Sequence, residues 1–262
     1  MKTGISTACF YPELLENALK NILERGVDVL EIFINTHSEL DKSYLMNLKA
    51  MTDSYGAEIV SLHPFTCGIE PMMFFTPYQR RFEDILEYYK LYFEAMNILG
   101  AGIFVFHGNN KQNTYPDDKY FERYLSLYNL GKQFGITVAH ENVERCTGGH
   151  LSFLSKMYDA LGDSAKFVLD LKQARRAGEN PNDFIKTLKN NIIHIHYSDG
   201  GTNGECLKFG EGEFDNTTFI DNLRQNNYKN AIILELYREN FIDTDDLISN
   251  FKMIESSFDT FN

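Results

Sequence analysis

Six ionisable side chains, His63, His107, Glu141, Asp170, His196 and Glu235, stand at or near the ends of six successive apolar runs. Burying that many such groups without partners would cost several kcal/mol each, a cost that convergence on a cation removes. Glu141, Asp170, His196 and Glu235 together offer three carboxylates and one imidazole. This donor set suits one divalent ion that accepts oxygen and nitrogen ligands, such as Mn, Mg, Co or Zn, and donor softness does not choose among them. Each residue taken alone reads more simply as half of a salt bridge. Six of them on six strand ends favour a metal site over an ion-pair network filling the same space.

The neighbouring polar residues divide by periodicity. In a strand, alternate side chains share a face, so His194 and His196 point together while His140 and Glu141 point apart. If Glu141 faces a barrel interior, His140 faces the surrounding helices and reads as a satisfied histidine at the strand–helix interface. Glu31 allows two readings, a residue of the site or a structural partner for a helix. Cys9, Cys67, Cys146 and Cys206 are widely spaced and contain no CxxC pair, so neither a disulfide framework nor a zinc knuckle is expected. Reduced thiols that pack as small apolar groups are the expectation.

The elements that must carry these groups alternate between β-branched apolar runs and segments of helical period, the pattern of strand–helix units around a parallel sheet. Eight units are predicted. Their strands lie around Gly4 to Thr7, in VDVLEIFIN (27–35), AEIVSLHPF (57–65), GIFVFHGNN (102–110), ITVAHENV (136–143), KFVLDLKQ (166–173), IIHIHYSDGG (192–201) and AIILELY (231–237). Helices are expected over Glu13 to Arg25, within 41–56, along the periodic series from Phe82 to Leu99, over Tyr120 to Phe134, and from Asp245 to Phe258, with helix count matching strand count. At 262 residues the chain suits a single (β/α)8 TIM barrel domain over 1–262. In such barrels the chemistry sits at the C-terminal ends of the strands, where the six ionisable residues fall.

Bulk properties narrow the partners. The formal net charge of -12, with no compensating run of Lys and Arg, disfavours nucleic acid. No apolar run reaches the length of a membrane span or a signal peptide, so a cytoplasmic protein without a membrane partner is expected. Barrels of this size often dimerise, and a homo-oligomer remains open.

The motifs HENV (140–143), VLDLKQ (168–173), HIHYSD (194–199), FGEGEFD (209–215) and LELY (234–237) resemble, in order and strand position, the xylose isomerase-like barrel superfamily. It includes sugar and sugar-phosphate isomerases and epimerases, and also endonuclease IV. The resemblance covers essentially the whole chain and implies that Glu141, Asp170, His196 and Glu235 bind one metal ion. It also implies a carbohydrate substrate, with Glu141 and Glu235 as the catalytic pair. One would remove a carbon-bound proton next to a carbonyl and the other return it, through a metal-stabilised enediolate.

His63 and His107 are expected to orient the substrate or, as the second choice, to bind another ion. Gln173 stands where many relatives have a substrate-binding histidine. Lys208, before the glycine turn, falls near a basic substrate-binding position, though a solvated loop lysine is the commoner case. Endonuclease IV adds ligands that are missing here, because its Asp-x-x-His becomes Asp170 to Gln173 and its Asp-x-His becomes Gly204 and Cys206. The alternatives to a sugar isomerase or epimerase are a metal-dependent phosphoester hydrolase and a non-catalytic sugar-binding barrel.

Overall fold

A computed structural model describes residues 1–259, so the last three residues of the expected domain, 260–262, lie outside the described range. Its strands are β1 (Lys2–Ser6), β2 (Val29–Ile34), β3 (Glu58–Pro64), β4 (Ile103–Phe106), β5 (Thr137–Glu141), β6 (Phe167–Asp170), β7 (Ile192–Tyr197), β8 (Asp199–Gly201), β9 (Gly204–Leu207) and β10 (Ala231–Leu234). The helices are α1 (Leu15–Leu23), α2 (Lys42–Ser54), α3 (Glu70–Met73), α4 (Gln79–Leu99), α5 (Asp117–Gln133), α6 (Leu151–Leu161), α7 (Leu171–Arg176), α8 (Pro181–Leu188), α9 (Asn216–Gln225) and α10 (Thr244–Asp259). Eight parallel strands close into a barrel in the order β1-β10-β7-β6-β5-β4-β3-β2, the expected TIM barrel. No helix among the described residues is long and apolar enough to cross a membrane.

Apolar burial drives the outer layer. The face of α4 bearing Phe82, Ile85, Tyr89, Phe93, Met96 and Leu99 is buried, and Gly100 stops the helix with φ 83°, a conformation a Cβ would strain. Asp41 starts α2 by accepting the N–H groups of Ser43 (2.9 Å) and Tyr44 (3.1 Å). Inside the barrel the lower layers are apolar, built from Val29, Ala231 and Ile233 on one side and Val105, Ala139 and Val168 on the other. Above them the interior turns polar.

Three elements differ from the sequence expectation, and each difference shapes the site. The sixth strand does not run to Gln173, because Asp170 Oδ1 accepts the Gln173 N–H at 2.8 Å and starts α7 at Leu171. The seventh strand stops at Tyr197, and the following residues fold into the β8–β9 hairpin. Asp199 organises it, accepting the N–H groups of Gly200 (2.7 Å), Gly210 (2.9 Å) and Phe214 (3.3 Å). A Cβ at Gly212 would lie 2.3 Å from Asp199 Oδ1 and 2.5 Å from the Gly200 nitrogen, so this close approach requires glycine. The short helices α3 and α7 also make the helices outnumber the barrel strands.

Candidate metal centre and cleft

Strand register brings the expected ligands together. Asp170 pairs with His196 across β6 and β7, and Ile233 pairs with His196 across β7 and β10. Glu235 follows β10 directly and is held level with β7 by its N–H to the Tyr197 carbonyl (3.0 Å). Asn142 ties the ends of β5 and β6 by accepting the Asp170 N–H (2.7 Å) and donating to the Asp170 carbonyl (3.0 Å). Glu141, Asp170 and His196 are buried, and the Glu235 side chain remains 15% exposed at the cleft floor.

The donors face one point. His196 Nδ1 lies 2.9 Å from Glu141 Oε1, 3.0 Å from Glu235 Oε2 and 4.0 Å from Asp170 Oδ2. A ring N–H can serve one of these carboxylates well, and Glu235 Oε2 has no hydrogen-bond partner. His63 closes the group, with Nε2 3.9 Å from Glu141 Oε2. Like charge is crowded here. Burial, reinforced by Glu141 and Glu235, raises the Asp170 pKa above the usual carboxylate value despite Lys172. Burial alone would raise Glu141 and lower His196. The His196 contact overcomes burial to drive Glu141 down, and Glu31, then Glu235 and Glu141, overcome it to drive His196 up. A divalent cation fits this set because it satisfies the orphaned carboxylate oxygen and relieves the crowding.

Glu31, open between two roles in the sequence, lies directly beneath His196. Its Oε2 accepts from His196 Nε2 (3.1 Å), His194 Nε2 (2.9 Å) and Ser61 Oγ (2.7 Å). A carboxylate on the far nitrogen of a ligating histidine fixes the tautomer that leaves Nδ1 free for a metal. The His194 and His196 contacts hold the Glu31 carboxyl well below its usual range against the opposing effect of burial. His140 faces the helices instead. Its ring is hydrogen bonded to the Tyr120 hydroxyl and the Glu141 carbonyl and packs against Phe106 and Tyr124.

Two charged residues passed unrecognised in the sequence. Lys172, in the first turn of α7, is buried with its ammonium 3.5 Å from Asp170 Oδ2, 3.5 Å from Glu235 Oε1 and 4.7 Å above the Tyr237 ring. Glu70, on α3, is fully buried and accepts from the Gly108 N–H (2.7 Å), Thr66 Oγ1 (2.9 Å), the Tyr89 hydroxyl (3.1 Å) and His107 Nδ1 (3.3 Å). Burial would lower the His107 pKa, but the Glu70 carboxylate raises it to about 9, so His107 is cationic at neutral pH. His63 is pushed the other way, by burial and by the His107 charge. The only available sequence signal was that both residues come shortly after strand ends, in segments that fold as the short helices α3 and α7.

A cleft of about 470 Å³ opens above the carboxylates, lined among others by Phe33, His63, Phe65, His107, Glu235 and Tyr237. His63 and His107 stand side by side on its wall, with ring centroids 4.8 Å apart. Gln173 and Lys208, the other two expected substrate contacts, are not among its lining residues. Gln173 Oε1 accepts the Glu144 N–H (3.0 Å) and holds the loop after β5. The Lys208 ammonium is paired with Asp246 (2.9 Å) and Glu211 (3.0 Å).

Comparison with known proteins agrees with the barrel fold. Residues 19–257 match the family described as xylose isomerase-like TIM barrel. The uncharacterized protein MJ1311 of Methanocaldococcus jannaschii is 26% identical over 249 residues, covering 90% of this chain and 83% of its own length. Among solved structures, a D-tagatose 3-epimerase-like protein superposes with a TM-score of 0.82 at 21% identity, over 99% of this chain and 98% of its own. The IOLI protein with a bound zinc atom superposes with a TM-score of 0.81 at 16% identity, over 100% and 99%.

Proposed function

The chain belongs to the xylose isomerase-like TIM barrel family, and from that premise we propose that it is a divalent-metal-dependent isomerase or epimerase of a small sugar or sugar-like substrate. The observation that carries the proposal is the convergence of Glu141, Asp170 and Glu235 on His196 Nδ1, open to a cleft at Glu235 and backed by Glu31. These four residues would hold the ion. When bound, it supplies the Lewis acidity that stabilises negative charge on substrate oxygens as a carbon-bound proton leaves. The resemblance to a tagatose-epimerase-like fold and to a zinc-binding one supports both halves of the proposal.

The chain's own groups do the rest. Glu141 and Glu235 exchange the proton on the carbon next to the carbonyl, one removing it to give an enediolate and the other returning it. His63, whose Nδ1 lacks a hydrogen-bond partner, and cationic His107 orient substrate hydroxyls. Phe33, Phe65 and Tyr237 pack the apolar face of the sugar and exclude water. The proposal gives Gln173 and Lys208 no role, because Gln173 Oε1 accepts the Glu144 N–H and the Lys208 ammonium is paired with Asp246 and Glu211.

A phosphoester hydrolase would require a second ion at His63, His107 and Glu141. The two candidate metal groups among the described residues are His63, Glu141, His196 and Glu235 and, fully buried beneath them, Glu31, His194 and His196; His107 is in neither, and Asp170, 4.0 Å from His196 Nδ1, borders the first. The deciding experiment counts metal ions per chain in the wild type, Glu141→Gln and Glu235→Gln, then incubates each with ketoses in heavy water. One ion, with deuterium entering beside the carbonyl only in the wild type, is the expected result. Two tightly bound ions would favour hydrolysis. Ketose-induced stabilisation that survives Glu235→Gln, with no exchange in any form, would leave a binding barrel.

A further inference from the structure

In the closed barrel β4 stands across from β10, so the segments that follow β3, β4 and β5 form the wall of the cleft that faces Glu235 and Tyr237. Cys67, His107 and Arg145 line that wall. Apart from the two histidines, the charged side chains lining the cleft among the described residues are Arg145 and Glu235. Glu235 belongs to the metal centre, and His107 is balanced by the fully buried Glu70 carboxylate at 3.3 Å. Arg145 has no such partner. Its guanidinium makes no ion pair among the described residues, and its one hydrogen bond there runs from Nη2 to Cys67 Sγ at 3.2 Å. Sulfur is a weak acceptor, so the other N–H groups of the planar fork face solvent and whatever fills the cleft.

The loop that carries Arg145 is braced on both sides. The Arg145 carbonyl accepts the Lys111 N–H (3.1 Å), the Cys146 N–H closes on the Val143 carbonyl (2.8 Å), and Gln173 Oε1 accepts the N–H of Glu144 (3.0 Å). A Cβ at Gly149 would lie 2.6 Å from the Val143 carbonyl oxygen and 2.7 Å from that of Glu144, so the chain folds back tightly against the loop. A backbone held this way lowers the cost of ordering the side chain on a ligand.

Resting on the isomerase or epimerase reading above, we propose that Arg145 binds a terminal phosphate or carboxylate of the substrate, so that the chain acts on an anionic ketose in preference to a neutral one. The carbonyl end of the ketose then lies at the metal centre and its anionic end against the wall formed after β3, β4 and β5. A guanidinium fork matches two oxygens of either group, and such a charge-assisted contact strengthens where the cleft keeps water away. The chain as a whole, with a formal net charge of -12, repels an anionic substrate. An uncompensated cation inside the cleft is the local feature that admits one.

The test measures binding and exchange separately on the metal-loaded full chain. Wild type, Arg145→Met and Arg145→Lys are titrated by calorimetry with D-fructose, D-tagatose and the 6-phosphate and 6-carboxylate of each, and deuterium exchange in heavy water is followed for the same compounds. The wild type is expected to bind an anionic ketose more tightly than its neutral parent. Arg145→Met is expected to cut that preference by about 10- to 100-fold, the range of a hydrogen bond to a charged group, and Arg145→Lys to keep part of it. The larger loss falling on the 6-phosphate identifies a phosphate site, and on the 6-carboxylate a carboxylate site. Arg145-dependent binding without exchange in any form would support the anionic subsite while sinking the isomerase reading. Exchange that proceeds with the same preference in Arg145→Met as in the wild type would overturn the subsite and leave that reading in place. Failure of every anionic ketose to bind the wild type at millimolar concentration would overturn the subsite as well.

Discussion

Replacing Glu70 with Gln removes the carboxylate that keeps His107 protonated, and the consequence for stability has a defined sign and pH window. The folded-state pKa of about 9 lies above the ordinary 6.5, so proton binding by His107 favours the folded chain. At about 1.4 kcal/mol per pKa unit, the difference corresponds to about 3 kcal/mol. That contribution is fully present below pH 6.5 and is lost as pH rises through 9. The variant also loses stability independently of pH, because the single amide oxygen of Gln cannot serve every donor now facing Glu70. Urea unfolding at pH 6, 7.5 and 9.5, with a chelator present to remove metal linkage, separates the two effects. The gap between wild type and Glu70→Gln is expected to shrink by about 3 kcal/mol from pH 6 to pH 9.5. A gap that stays constant across this range would refute the charge assignment of His107.

The remaining predictions probe the metal centre and its surroundings. Glu31→Gln loses the carboxylate behind His196, and chelator competition should show metal affinity falling by about 10- to 100-fold while the fold persists. Lys172→Met leaves Asp170 and Glu235 without their buried counter-charge, so the metal-stripped protein should lose about 3 kcal/mol in urea unfolding. Saturating Mn²⁺ should recover most of that loss, and an equal loss with and without metal would contradict the assigned role. Lys208→Ala should leave ketose turnover unchanged and cost at most about 1 kcal/mol, because its ion pairs with Asp246 and Glu211 lie away from the cleft. A large rise in KM would restore Lys208 as a substrate contact.

The barrel was legible in the sequence because its signals are local. Apolar runs, helical spacing and glycine stops recur unit by unit, and a strand period of two is enough to separate Glu141 from His140. The same locality placed His63, His107, Asp170, His196 and Glu235 at strand ends, where a closed barrel gathers them from separate parts of the chain. Pairing lay beyond this level of description. Nothing in the linear order says that Glu31 sits under His196, that Glu70 reaches His107, or that the first turn of α7 carries Lys172 back over Asp170 while Gln173 holds a loop. Those contacts depend on where loops and helix starts bring side chains after the barrel closes. The sequence therefore determined which strand ends carry reactive groups, and the tertiary structure decided their partners, because hydrogen bonding and charge compensation act through distance in space rather than along the chain.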